Sequence, residues 1–97
     1  MTDRELVARW NDFVAEVERG YAFGLYDYRN DLDIRERIAR LGLDDEVRET
    51  DARFQAQLTA CDRRVWESER ENAFWIFGYP RNGSGEMLED LKAEDLV

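Results

Sequence analysis

The chain has 97 residues, and 23 acidic against 14 basic side chains give it a formal net charge of -9. This charge repels a phosphate backbone and argues against direct binding to nucleic acid. Histidine is absent and cysteine occurs once, which excludes intrachain disulfides, Cys/His zinc sites and His-dependent catalytic triads. Hydrophobic residues make up 43% of the chain, enough for one folded domain over residues 1–97.

The first residues are charged and lack an apolar signal core, and no apolar run reaches the ~20 residues that span a bilayer. We therefore expect a cytoplasmic protein with no membrane partner. Only one basic residue, Lys92, is a lysine, a bias typical of GC-rich bacterial genomes.

The first helix is predicted over residues 3–20. Thr2 and Glu5 have the spacing of a capping box at its start. Apolar residues then recur every three or four positions and form one helical face, which contains Leu6, Trp10, Phe13 and Val17. Gly20 is a suitable residue to end this helix.

The second helix is predicted over residues 27–41, with Asp27 as its cap and Gly42 as its stop. Three acidic residues lie four positions before an arginine, an order that favours ion pairs on an exposed helix face. The predicted pairs are Asp31 with Arg35, Asp33 with Arg37 and Glu36 with Arg40.

The third helix is predicted over residues 45–77, because no glycine or proline occurs there and apolar residues recur at helical spacing. Unbroken, it would be about 50 Å long, whereas a compact domain of this size has a diameter of roughly 35 Å. We expect either that this helix breaks between residues 61 and 68 or that a second copy of the chain covers its projecting part. With a short helix over 85–94, the predicted fold is all-α: a small antiparallel bundle of three main helices plus a short C-terminal helix.

Four consecutive large apolar residues end the third predicted helix: Phe74, Trp75, Ile76 and Phe77. On a helix, four such side chains point in nearly every direction, and one small hairpin of helices cannot cover them all. Large exposed apolar patches usually mark contacts. The expectation is a homodimer with these residues at its interface.

The segment from Tyr21 to Ile34 concentrates tyrosines and aspartates at a loop-to-helix junction, a combination suited to recognising a polar partner or ligand. The alternative is that its tyrosines pack the connection between helices while Asp27 caps and Asp31 pairs with Arg35. Trp66 joins the candidates because its charged neighbours suggest partial exposure. The candidate binding residues are Tyr21, Tyr26, Asp27, Tyr28, Asn30, Asp31 and Trp66.

The aspartates of this segment do not form a calcium loop, because Arg29 would occupy the third position counted from Asp27 and no glycine lies at the sharp turn. A di-metal carboxylate bundle would lack its histidine ligands. No metal and no cofactor are expected.

Asp51 interrupts the apolar stripe of the third predicted helix. A buried carboxylate needs a hydrogen-bonding or cationic partner, or its pKa shifts. Asp51 is therefore an acid of raised pKa in a pocket, a specificity element at a helix interface, or the partner of an arginine, Arg48 or one from another helix. The pairing with an arginine is favoured. Cys61 is predicted to be a small core side chain, not a reactive thiol.

The expected function is that of a small acidic, non-catalytic protein–protein interaction module, such as an inhibitor, immunity protein, antitoxin or adaptor, with an unidentified protein partner. One alternative is a small-molecule-binding protein or an acid–base enzyme. Its groups would be Asp27, Asp31, Asp51 and Tyr28. A further alternative is a nucleic-acid mimic that binds a basic protein.

Overall fold

A computed structural model describes residues 2–70 and 73–97. Single 3-10 turns at Asp44–Val47 and Phe74–Ile76 accompany the regular elements. These elements are α1 (Asp3–Arg19), α2 (Leu25–Arg40), α3 (Arg48–Ala56), β1 (Leu58–Ala60), β2 (Gly78–Pro80) and α4 (Glu86–Ala93). The helical class is confirmed, whereas the purely α-helical bundle is not, because β1 and β2 pair. Within the described residues, no helix has the length and apolarity needed to cross a membrane.

α1 follows its sequence pattern closely. The Thr2 hydroxyl accepts a hydrogen bond from the Glu5 backbone N–H at 3.2 Å, which satisfies one of the free donors at the helix start. The predicted apolar face is buried against α2 and α3. The helix ends at Gly20, whose φ of 109° suits a residue without a side chain.

α2 begins at Leu25, so Asp27 lies inside the first turn and is not the cap. The cap is supplied from a distance: the Asp90 carboxylate of α4 accepts a hydrogen bond from the Leu25 backbone N–H at 2.9 Å. Gly24 permits this approach, since a Cβ there would lie 2.8 Å from the Asp90 carboxylate. α4 is thereby fixed to the N-terminus of α2.

The predicted helix over 45–77 is wrong, because α3 ends at Ala56, before the break expected between 61 and 68. The chain continues into β1, which pairs antiparallel with β2 so that Leu58 faces Pro80. The longest extent of the chain is 35 Å, shorter than the predicted helix. Folding back buries aromatic side chains that a projecting helix would expose, and this burial outweighs local helix propensity.

Residues 61–77, here called the 61–77 loop, connect the two strands. The Cys61 N–H donates to the Phe77 carbonyl at 2.7 Å, and the Val65 N–H donates to the Ile76 carbonyl at 2.9 Å. The Trp66 indole N–H donates to the carbonyl of Gly78. These bonds hold the described part of the loop against β2.

The predicted interface residues occupy a 3-10 turn and its flank, not the end of a long helix. Trp75 and Ile76 are buried in the chain's own core, Phe74 packs partly against it, and Phe77 is 38% exposed. The chain thus covers two of the four side chains itself, which removes the packing reason for assigning them to an interface. The homodimer stays a prediction.

Candidate functional site

The predicted binding segment has a buried side and an exposed side. α2 turns Leu25, Tyr28 and Leu32 towards the core, as expected for residues three or four positions apart. Tyr21 precedes the helix and is also fully buried, whereas Asp31 is of intermediate burial. The remaining candidates of this segment are exposed: Tyr26, Asp27 and Asn30.

The buried side consists of neutral tyrosines in different surroundings. The Tyr21 hydroxyl donates a hydrogen bond to the Asp31 carboxylate at 2.9 Å. Burial, with the Asp31 carboxylate, raises the pKa of Tyr21, and burial raises the pKa of Asp31, to which the Glu16 carboxylate adds. Burial also raises the pKa of Tyr28, whose hydroxyl has no partner among the described residues. Both tyrosines are core residues, as the packing alternative predicted.

We expect opposite results from removing these two hydroxyls. Tyr28→Phe will leave the free energy of unfolding unchanged or raise it by up to about 1 kcal/mol, because it deletes a buried unpaired hydroxyl. Tyr21→Phe will lower it by about 1 kcal/mol, because it removes a hydrogen bond. Urea denaturation at pH 7 measures both. A larger loss for Tyr28→Phe than for Tyr21→Phe would contradict the assigned surroundings.

Asp51 is held by two side chains from other helices. Its Oδ2 atom lies 2.7 Å from Nη2 of Arg35, and its Oδ1 atom accepts hydrogen bonds from Nε of Arg35 at 2.9 Å and from the Trp10 indole at 3.0 Å. The predicted pairing with an arginine of another helix is confirmed, and Arg48 pairs with Asp45 instead. Asp51 therefore has a structural role.

Within the described residues, none of the three ion pairs predicted along α2 forms. Arg35 and Glu36 lie on the buried side of the helix, so they are unavailable to an exposed face. Glu36 accepts a hydrogen bond from the Trp75 indole at 3.1 Å, and Arg40 pairs with Glu69 of the 61–77 loop. The charges of α2 thus fasten neighbouring segments to it.

The four groups of the acid–base alternative do not share one environment. Asp27 is exposed, Asp31 accepts a hydrogen bond from the Tyr21 hydroxyl, and Asp51 is ion-paired with Arg35. Tyr28 is sealed in the core beside Trp66, with ring centroids 4.8 Å apart. The described residues also contain no group of three or more cysteine, aspartate or glutamate side chains placed to hold a metal ion.

Asp44 extends the polar network at the end of α2. It accepts hydrogen bonds from Arg35 at 2.7 Å and from Arg70 of the 61–77 loop at 3.0 Å. Desolvation opposes ionisation of Asp44, but these guanidinium groups outweigh it and hold its pKa below the ordinary value of 3.8. Asp44 thereby links three segments of the chain.

This pKa shift predicts a pH-dependent stability. Since the folded-state pKa is the lower one, Asp44 stabilises the fold above about pH 4 and loses this effect as the pH falls through the folded-state pKa. Asp44→Asn will lower the free energy of unfolding at pH 7 by about 1 kcal/mol, a value typical of a half-exposed pair. Urea denaturation at pH 7, 4 and 3 will show the difference from wild type shrinking. An equal difference at all three pH values would refute the predicted linkage.

Cys61 is of intermediate burial at the end of β1, and burial raises the pKa of its thiol. A raised pKa keeps a thiol protonated and poorly nucleophilic. The position is therefore consistent with a packing role, although Cys61 is less buried than a core residue.

Two adjoining cavities between α2 and the 61–77 loop, here together called the groove, share Arg29, Val65 and Trp66 in their walls; the larger is called its wide part and the smaller its narrow part. Its wide part, about 280 Å³, is lined by Arg29, Leu32, Asp33, Val65, Trp66 and Glu67. Its narrow part, about 100 Å³, also has Arg29, Val65 and Trp66 in its wall. The residues found only in the narrow part are Leu25, Arg63, Arg64, Glu94 and Leu96.

Trp66 forms part of the wall of this groove but is only 3% exposed, so the prediction of a partly exposed side chain is wrong. Its indole N–H is satisfied inside the fold, and the Arg29 guanidinium lies 5.5 Å from its ring centroid. The sequence analysis did not identify the groove arginines, because Arg63 and Arg64 can be placed beside α2 only when the path of the 61–77 loop is known. No local pattern signals that path.

The exposed side of the predicted segment forms a second surface, here called the α2 contact face: Phe23, Tyr26, Asp27 and Asn30. Tyr26 is 78% exposed and Phe23 is 51% exposed. Tyr26 and Asn30 are four positions apart on α2 and therefore share one side of it. Phe23 was not among the predicted binding residues, and its exposure in the structure places it on this surface.

No family model matches the chain, and no match was found among curated proteins or solved structures.

Proposed function

We propose that the chain is a small acidic, non-catalytic protein–protein interaction module that binds its partner through the α2 contact face. The observation that carries this proposal is the exposure of Tyr26 and Phe23 beside the polar Asp27 and Asn30. Aromatic residues are enriched in the centres of protein interfaces, where they supply much of the binding energy. Phe23 keeps an edge contact with the Tyr21 ring, at a centroid distance of 5.7 Å, whereas the fold gains little from Tyr26, which is 78% exposed.

The internal contacts of the predicted catalytic groups favour this function over the acid–base alternative. Asp31 and Asp51 are engaged by Tyr21 and Arg35, and Tyr28 has no access to solvent. A general base must reach the proton that it removes. The groups left exposed are better suited to contact than to proton transfer.

The net charge of the chain and its exposed aromatic side chains together indicate the kind of surface that a partner presents. A net charge of -9 favours a protein with a neutral or basic surface, and the exposed rings require an apolar pocket on that surface. The candidate roles are those of an inhibitor, immunity protein, antitoxin or adaptor in the cytoplasm. The homodimer proposal makes a second copy of the chain one of the candidate partners.

Site-specific photocrosslinking in the source cells tests this proposal. We would place a benzophenone amino acid at position 26 or 30, and at Ala52 as a control, because Ala52 is exposed on α3 outside the α2 contact face. We expect one discrete crosslinked band from positions 26 and 30 and none from position 52. A band at twice the chain mass would identify a second copy as the partner.

Two results would count against the proposal. One is the absence of any discrete band from positions 26 and 30, and the other is the same band from position 52. Salt distinguishes the nucleic-acid mimic, since a contact dominated by charge weakens steeply with ionic strength. In a lysate of the same cells, crosslinking through the α2 contact face is expected to persist at 0.5 M salt, whereas loss at that concentration would favour the mimic.

A further inference from the structure

The narrow part of the groove between α2 and the 61–77 loop concentrates positive charge in an acidic chain. Arg29, Arg63 and Arg64 line it against a single acidic residue, Glu94. The whole chain has 23 acidic and 14 basic residues. The excess of guanidinium groups in this cavity is therefore opposite in sign to the net charge of the chain. Such a cavity attracts an anion locally although the protein as a whole repels one.

These arginines retain unused hydrogen-bond donors. Arg29 and Arg63 form no ion pair with a described residue, and Arg63 donates only to the Glu94 backbone carbonyl, at 3.1 Å. Arg64 approaches Glu67 no closer than 4.0 Å, beyond hydrogen-bond distance. Arg35, by contrast, forms ion pairs with two carboxylates of the same fold. The groove arginines are therefore available to a ligand, since a guanidinium group has five donors.

Shape and polarity specify the ligand. The narrow part, of about 100 Å³, has room for one carboxylate or phosphate group. The adjoining wide part, of about 280 Å³, has the partly buried Val65 as its accessible apolar wall, since Leu32 and Trp66 are each only 3% exposed. The narrow part places three guanidinium groups beside Glu94, and Asp33 and Glu67 lie further along the groove. Because these carboxylates offset part of the positive charge, a ligand with one negative charge suits the groove better than a ligand with two.

We propose that this groove binds a small monoanionic carboxylate, with the carboxylate among Arg29, Arg63 and Arg64 and an apolar body along Val65. Arginine is suited to this task because its planar donors match a carboxylate in pairs. No residue that lines the groove belongs to the α2 contact face, so this site does not depend on the proposed interaction function.

The test is a titration of the 15N-labelled protein with N-acetyl-leucine, followed by NMR at constant pH and ionic strength. The indole N–H of Trp66, assigned with Trp66→Phe, and the Val65 amide report on the two walls of the groove. N-acetyl-leucinamide has the same apolar body without the charge. The double variant Arg63→Gln/Arg64→Gln removes two donors, and Arg4→Gln/Arg19→Gln on α1 makes the same charge change outside the groove.

We expect saturable shifts of the two reporter signals with N-acetyl-leucine and at least tenfold weaker binding of the amide. The groove variant will weaken binding at least tenfold, whereas the α1 variant will leave it within a factor of two. Equal binding of acid and amide would overturn the proposal, as would no saturation at 10 mM or an unaffected groove variant. Tighter binding of phenyl phosphate would replace the carboxylate by a phosphate ligand.

Discussion

Arg35→Met will lower the free energy of unfolding by about 3–5 kcal/mol, the cost of breaking a buried ion pair from one side. Arg35 is 3% exposed and connects Asp51 and Asp44, while its guanidinium carbon lies 5.0 Å from the Trp75 ring centroid. Methionine retains much of the volume but leaves Asp51 without its cation and Asp44 with Arg70 alone. Urea denaturation of both proteins at pH 7 measures the loss.

The matched control is Arg53→Met, which removes the ion pair between Arg53 and Glu18 on the surface. Solvent screens an exposed pair, which therefore contributes little to stability, so the loss for Arg53→Met should be a small fraction of the loss for Arg35→Met. Asp51→Leu combined with Arg35→Met should recover part of the loss, because it removes the carboxylate left without its cation. Similar losses for Arg35→Met and Arg53→Met would disprove the buried network.

Trp66→Ala will lower the free energy of unfolding by about 3–5 kcal/mol, the range for truncating a buried aromatic side chain. Trp66 packs on Tyr28, and its indole N–H satisfies the carbonyl of Gly78. Trp66→Phe should cost about 1–3 kcal/mol, because it keeps a ring but leaves that carbonyl unpaired. Denaturation followed by far-UV circular dichroism measures both variants.

The control for Trp66 is Phe77→Ala in the same loop. Phe77 is 38% exposed, so its truncation should cost well under half as much as Trp66→Ala. If Trp66→Ala were as mild as Phe77→Ala, the loop would not be anchored by its tryptophan. The original expectation of a partly exposed Trp66 would then be correct.

Helix α1 could be predicted in detail because its signals are local. A capping hydroxyl at Thr2 and a regular apolar face over one continuous helix need no knowledge of the rest of the chain. α2 was predicted correctly as a helix, but the three ion pairs predicted along it do not form among the described residues. The spacing rule for Asp31 and Arg35 applies to an exposed face, and Arg35 lies against the core.

The prediction of the third helix is wrong because the conformation after Ala56 is decided by the burial of side chains against parts of the chain that are distant in sequence. The apolar spacing continues past that point, but Trp66 and Ile76 reach the core only if the chain reverses through β1 and β2. Strand pairing between positions far apart in sequence has no local signal at Leu58. The homodimer prediction depended on the same helix and has lost that support.

The candidate site was predicted in part. Exposure of Tyr26, Asp27 and Asn30 agrees with a surface role, whereas Tyr21 and Tyr28 are core residues. Helical periodicity explains the division, because Tyr28 shares its side of α2 with Leu25 and Leu32. The groove arginines depend on tertiary structure and were outside the reach of sequence patterns.

The decisive measurement is made on one variant, Tyr26→Ala, with the benzophenone probe at position 30. Its free energy of unfolding and its crosslinking to the partner are both determined. If Tyr26 belongs to a contact surface, its loss changes the free energy of unfolding by less than about 0.5 kcal/mol, as for other surface substitutions, and abolishes the crosslinked band. Retention of the band, together with a loss of stability above about 1 kcal/mol, would make Tyr26 a structural residue and contradict the α2 contact face.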